Sequence, residues 1–166
     1  MYPKEGTSGD ATITFLFGGF NTVSWEKLLL GAPYMIVGIT VVALHARALN
    51  VLQLDEEQAS HLGIDVLRTK LILLAAGSLA AATAVAVAGV IGFLGLIVPH
   101  MARLIFGTDF RRTLPITILG GATLLIGVDL VARTIIQPQE IPVGVLTAIL
   151  GGPFFIILLR GRRVFL

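Results

Sequence analysis

The sequence predicts an all-α protein, a polytopic membrane helix bundle with about five transmembrane helices. Three observations predict it. Apolar residues make up 55% of the chain and charged residues only 13%, against about a quarter charged in a soluble domain. Residues 28–44, 71–99, 113–128 and 141–159 carry no charged side chain. Basic residues gather where those runs stop, as charges flanking membrane spans do. The mean hydropathy of +0.92 agrees. With that solvent in mind, the net charge of +2 reads as a set of topology signals, and no nucleic-acid partner is expected. The chain has no cysteine, so disulfides play no part.

The elements follow in order. Residues 1–12 open "MYPKEGTSGD" and read as a solvated or disordered tail, without the basic-then-apolar order of a signal peptide. The membrane region is residues 13–166. Its first apolar piece, Ile13–Phe20, is too short to span. The first span runs from Trp25, a natural interfacial anchor, to Leu44. The second runs from about Leu71 to Ala88, the third from Phe93 to Phe106, the fourth from Leu114 to Ile135 and the fifth from Val143 to Leu159. A full crossing takes about 20 apolar residues, so the uncharged run before His100 is too long for one untilted helix.

Orientation follows from the basic residues. With the first span running inward, the cytoplasmic segments hold Arg47, Arg68, Lys70, Arg103, Arg111, Arg112, Arg160, Arg162 and Arg163, nine of the twelve. This bias places the C-terminus in the cytoplasm. Lys70 and Arg103 then lie on the same side, so the chain crosses and returns between them. The reversal falls at Gly89, Gly92 and Gly95 in "AGVIGFLGLIVPHMAR", where glycine lets the backbone turn and neighbouring helices approach. Such a turn must be shallow or packed within protein, because lipid offers no hydrogen bonds. Pro99, inside the third span, predicts a kink or a gating hinge. Small residues at every fourth position, Ala76-Ala80-Ala84-Ala88 and Gly144-Ala148-Gly152, predict helix-packing faces.

The most informative polar segment is "LNVLQLDEEQASHLGIDVLRTK", residues 49–70. Asp55 and Gln58 make a capping box, acids lie at the positive end, and Gly63 is a C-terminal stop. The pattern predicts a short helix over Asp55–Gly63, read either as a solvated connection or as a docking helix for a soluble partner. Asp129 and Arg133 are the ionisable residues of the fourth span, and their i, i+4 spacing puts them on one face. They read as a structural pair or as an outward contact with an acidic partner. His45, His61 and His100 fall in different segments without metal spacing, so no metal and no cofactor are expected. With no phosphate-binding glycine loop, nucleophile elbow or facing carboxylates, the chain is not expected to be an enzyme.

The stretches "AVAGVIGFLGLIVPHMARLIFGTDFRRTLP", "DLVAR" and "EIPVGVLTAILGGPFFIILLRGRR", with "SWEKLLL" and "LNVLQLDEEQASHLG" ahead of them, resemble the FecCD family. These are permeases of ABC importers for iron–siderophore complexes, haem and vitamin B12. The resemblance covers about Phe15 to Arg163 and implies the C-terminal half of a ten-helix type II importer permease. It implies a transmembrane permease subunit, partial in this chain, that moves a metal chelate from a binding protein to the cytoplasm. Energy would come from a separate ATPase subunit. It also implies a cytoplasmic coupling loop at 49–70, with Glu57, Ala59, Leu62 and Gly63 contacting the ATPase. Arg133, held by Asp129, would meet the substrate-binding protein. The other partners implied are a second permease chain, a missing N-terminal half and membrane lipid, in a prokaryotic inner membrane. The alternative is a non-transporting assembly or regulatory protein that keeps the fold. Single cysteines at Ser60, Asp109 and Gln139 test the topology: only the last should react with an impermeant thiol reagent added from outside.

Overall fold

The computed structural model describes residues 15–21, 23–53, 56–61, 63–135 and 141–161. The predicted tail, Asp55, Leu62, Gln139 and the Glu57 side chain lie outside the described residues. After a helical turn at residues 15–17, the chain forms α1 (Trp25–Leu44), α2 (Ala46–Val51), α3 (Glu56–His61) and α4 (Val66–Ala88). Then come α5 (Leu94–Phe106), α6 (Phe110–Thr134) and α7 (Val143–Gly161). No strand occurs among the described residues.

The helices α1, α4 and α6 are long and apolar enough to cross a membrane. With α5 and α7 they make the five apolar helices that the sequence predicts. At 1.5 Å per residue, the 13 residues of α5 reach only about 20 Å, short of a full hydrocarbon crossing.

The chain divides into two compact units. One comprises Ser24–Val87 and Pro99–Gly120. Here α1 starts at a side-chain cap, with the Ser24 hydroxyl accepting from the Lys27 N–H at 3.3 Å. Its buried glycines, Gly31 and Gly38, sit two turns apart and face α4. A Cβ on Gly38 would lie 2.7 Å from the Ala76 carbonyl and 2.9 Å from the Ala80 Cβ. One on Gly31 would meet Val87 and Thr83. The two contacts run in opposite chain directions, so α1 and α4 are antiparallel. Lipid gives helices no hydrophobic reason to associate, and close approach through small residues supplies the attraction instead. Ala76 and Ala80 of the predicted stripe therefore make the contact, and Thr83 and Val87 continue it.

The other unit comprises the described residues up to Val23, Ala88–Val98 and those from Gly121 onward. Three backbone segments cross within it. The Gly19 N–H donates to the Ala88 carbonyl at 2.8 Å, and the Val90 N–H donates to the Phe15 carbonyl at 3.1 Å. Gly89 has φ +73°, and a Cβ there would lie 2.7 Å from the Phe15 carbonyl. A Cβ on Gly144 would run into the Phe17 carbonyl. The reversal is thus packed within protein, with the Ala88 carbonyl and the Val90 N–H paired as hydrocarbon demands.

Two details correct the sequence reading. Gly92 has open space around it and Gly95 lies inside α5, and neither has a positive φ. Phe93 takes the left-handed conformation instead, at φ 61°, a strain of about 1–3 kcal/mol for a non-glycine residue. Its side chain packs where a Cβ on Gly151 would sit. Of Gly144-Ala148-Gly152 on α7, Gly144 makes a close contact but Gly152 has nothing near a Cβ, so the buried face is a different one. It runs Val143 (3% exposed), Thr147 (1%) and Gly151, while Ala148 is exposed. Volume decides this: the Phe93 ring needs the notch at Gly151, which turns α7 so that Ala148 faces away.

The α1–α4 contact generates a prediction. Gly38→Val should destabilise the protein by about 1–3 kcal/mol through overpacking. Gly77→Ala, with nothing near its Cβ, should be neutral or stabilising by up to about 1 kcal/mol. Thermal unfolding in detergent measures both.

Candidate functional site

The first site is the connection around α3. Ala59 is wholly buried at 0% exposure, while Gln58, Ser60 and His61 on either side of it are exposed. Ala59 was assigned above to partner contact. Its burial against this chain makes it the residue that seats the helix, leaving the exposed side chains to face outward. Gly63 ends the helix as expected, at φ +79°, where a left-handed residue closes the last turn. Its N–H donates to the Ser60 carbonyl at 3.0 Å. Asp65 then caps α4, its Oδ1 accepting from the Arg68 N–H at 3.0 Å.

Beside this connection lies a polar cluster that the sequence reading left unassigned. Asn50 Nδ2 donates to Asp109 Oδ1 at 2.6 Å, across 59 positions of sequence. Asn50 Oδ1 accepts from the Phe110 N–H at 2.7 Å. Gln53 Nε2 donates to the Thr108 carbonyl at 3.1 Å and to Asn50 Oδ1 at 3.3 Å. Asp109 Oδ1 also accepts from the Arg111 N–H at 3.0 Å. The Arg103 guanidinium lies over the Phe110 ring, 4.9 Å from its centroid, within reach of a cation–π contact. One signal was available in the sequence: an aspartate just before an apolar helix is a good N-cap. A contact between residues this far apart in sequence has no local signature.

The second site is at the end of α6. Arg133 Nε donates to Asp129 Oδ2 at 2.9 Å, with 43% of the arginine side chain exposed and 22% of the aspartate. They border a hollow of about 150 Å³ whose other walls include Gly18, Asn21 and Pro142. Ala132 between them is 1% exposed and packs with Val128 and Val143. An exposed i, i+4 pair is worth only about 0.3–0.5 kcal/mol. The pair therefore aims the guanidinium more than it stabilises the helix.

A second cavity, of about 220 Å³, is lined by apolar residues of α5, α6 and α7 and by Thr147. The Thr147 hydroxyl donates to the Gly144 carbonyl at 2.9 Å. The cavity therefore offers shape and no reactive group. His45 Nδ1–H donates to the Val41 carbonyl at 2.8 Å, at the junction of α1 and α2. Pro99 lies within an uninterrupted α5.

The family model of the FecCD transport family matches residues 4–161. The chain belongs to the FecCD transport family. It is 44% identical over 146 residues to the hemin transport system permease protein HmuU of Yersinia pestis, covering 88% of this chain and 44% of that one. It is 46% identical over 150 residues to the cobalamin import system permease protein BtuC of Halobacterium salinarum, covering 90% and 40%. A solved chain described as a metal-chelate type ABC transporter in an inward-facing conformation matches with a TM-score of 0.80 and 37% identity. That match covers 92% of this chain and 49% of the other. This FecCD chain thus spans about half the length of the curated relatives it matches.

Proposed function

We propose that this chain is the C-terminal half of the membrane permease of an ATP-driven importer for iron–siderophore or related metal chelates. The observation that carries the reading is the match of nearly the whole chain, in sequence and in fold, to FecCD permeases and to a metal-chelate transporter. Residues 13–166 form the permease region in this reading, with the coupling loop at 49–70. The relatives are named as transport permeases, which favours a subunit that moves substrate without hydrolysing nucleotide itself. The ATP would be hydrolysed by a separate cytoplasmic subunit.

In this reading α3 docks on the ATPase through Glu57, Leu62, Gly63 and the exposed positions beside them, while Ala59 anchors the helix to the permease. Closing of the ATPase would push α3 and switch the spans as a rigid-body change. Three predicted spans lie between α3 and Arg133, an odd number, so Arg133 would face the exterior. There its guanidinium, aimed by Asp129, suits an acidic side chain of the substrate-binding protein. A second permease chain would complete the pathway, and the C-terminus would lie in the cytoplasm of a prokaryotic cell, beneath its inner membrane. Gly89 would shape the turn that leads into the third span, and Pro99 would be the hinge within that span.

Two measurements test the assignments. The Glu57→Ala/Leu62→Ala double variant should recover on the order of tenfold less ATPase on co-purification, as expected when central interface anchors are truncated. Recovery equal to wild type removes the docking role. Arg133→Glu should abolish binding-protein affinity for the reconstituted permease while leaving its melting temperature unchanged. Unaltered affinity in that variant excludes the contact.

A further inference from the structure

We propose that Asn50 and Asp109 are positioning residues that fasten the loop carrying α3 to the start of α6, so that displacement of α3 is delivered directly to that span. This role rests on the docking of α3 proposed above. The geometry carries it in three steps.

The first step concerns who caps α6. The opening N–H groups of a helix have no partner within it. In α6 the Arg111 N–H goes to its own Asp109, but the Phe110 N–H goes to Asn50 Oδ1 at 2.7 Å, from the α2 side. The start of α6 is therefore completed by a side chain from another element. The second step is the strength of the tie. The bond from Asn50 Nδ2 to the Asp109 carboxylate is short at 2.6 Å, and a charged acceptor makes a bond roughly twice as strong as a neutral one. Gln53 adds a second strand of the same tie at Thr108. The third step is the tether. Only two residues separate Gln53 from the first residue of α3, and at about 3.5 Å per residue they leave little slack. With Ala59 buried at the other side of the short helix, α3 and the tie form one attachment.

A complementary exchange provides the test, because each side chain can take the other's part. Asn50→Asp puts two carboxylates where a 2.6 Å hydrogen bond stands. Asp109→Asn keeps both the cap and an acceptor for Asn50. The double variant restores a donor–acceptor pair in reversed sense. In the complex with the ATPase subunit, reconstituted in vesicles, Asn50→Asp should lower substrate uptake per ATP hydrolysed on the order of tenfold while the ATPase stays bound. Asp109→Asn should stay near wild type, and the double variant should return to within about twofold of it.

Uptake per ATP unchanged in Asn50→Asp overturns the proposal, as does failure of the exchange to restore it. If Asn50→Asp alone fails to fold while the double variant folds, the pair is a fold element and the transmission role is lost. Failure of wild type to hold the ATPase would sink the docking reading and this role with it. That failure is separable from failure of the tie itself, which amide exchange reports directly. Phe110 N–H should lose protection in Asn50→Ala, and retained protection rules out the tie.

Discussion

A backbone that reverses in hydrocarbon must find its hydrogen bonds inside the protein, and the crossing of residues 15–19 with 88–90 is where this chain finds them. Each unpaired N–H or C=O in lipid costs several kcal/mol, so the bonds from Gly19 to Ala88 and from Val90 to Phe15 are close to obligatory. They require the two segments to lie in contact, and that contact leaves no room for a Cβ at Gly18, Gly89 or Gly144. Other features follow from the same crossing. Phe93 is carried into a left-handed conformation, its ring occupies the notch at Gly151, and α7 turns to bury Val143 and Thr147. The hollow beside Arg133 has Gly18 and Gly19 in its wall, so its shape is set there too.

Much of this fold was legible because membrane solvent writes a simple pattern. The start and end of α1, the end of α4 and the limits of α5 fall within a residue of where the sequence places the spans. The legibility fails where helix and hydrocarbon part company. The helices α4 and α6 start at Val66 and Phe110, several residues ahead of the apolar runs. Asp65 and Asp109 cap them there, and Arg68, Lys70, Arg111 and Arg112 are helical although polar. Charge marks the membrane boundary, whereas caps mark the helix boundary, and the two are separate signals. On α7 Gly144 packs closely as the small-residue pattern predicts, while Ala148 and Gly152 do not, for a different reason. Small residues predict that a contact exists, but which small residue is used depends on the partner's shape, here the Phe93 ring. The tie at Asn50 left no local trace at all, since its partner is 59 residues away.

The site residues divide in the same way. Gly63 was legible because a stop glycine acts locally, and it has the positive φ its position implies. The pairing of Asp129 with Arg133 was legible because helix geometry alone sets i, i+4 neighbours. At Ala59 sequence says that a small residue permits close approach, not which body approaches. Its complete burial answers that, since the body is this chain.

The short length of α3 then bears on how it can act. Six residues are far below the roughly 12–15 at which an isolated helix becomes even marginal in water. The helix therefore exists because of what holds it: the buried Ala59, the closing turn at Gly63, and flanking segments tied down at Asn50–Asp109 and at Asp65. An element held that way has little independent stability to absorb a push. A load on its exposed side passes to its attachments or melts it. Because one attachment completes the N-terminus of α6 and the other lies beside the capped start of α4, α4 and α6 are the helices that a load on α3 would reach first.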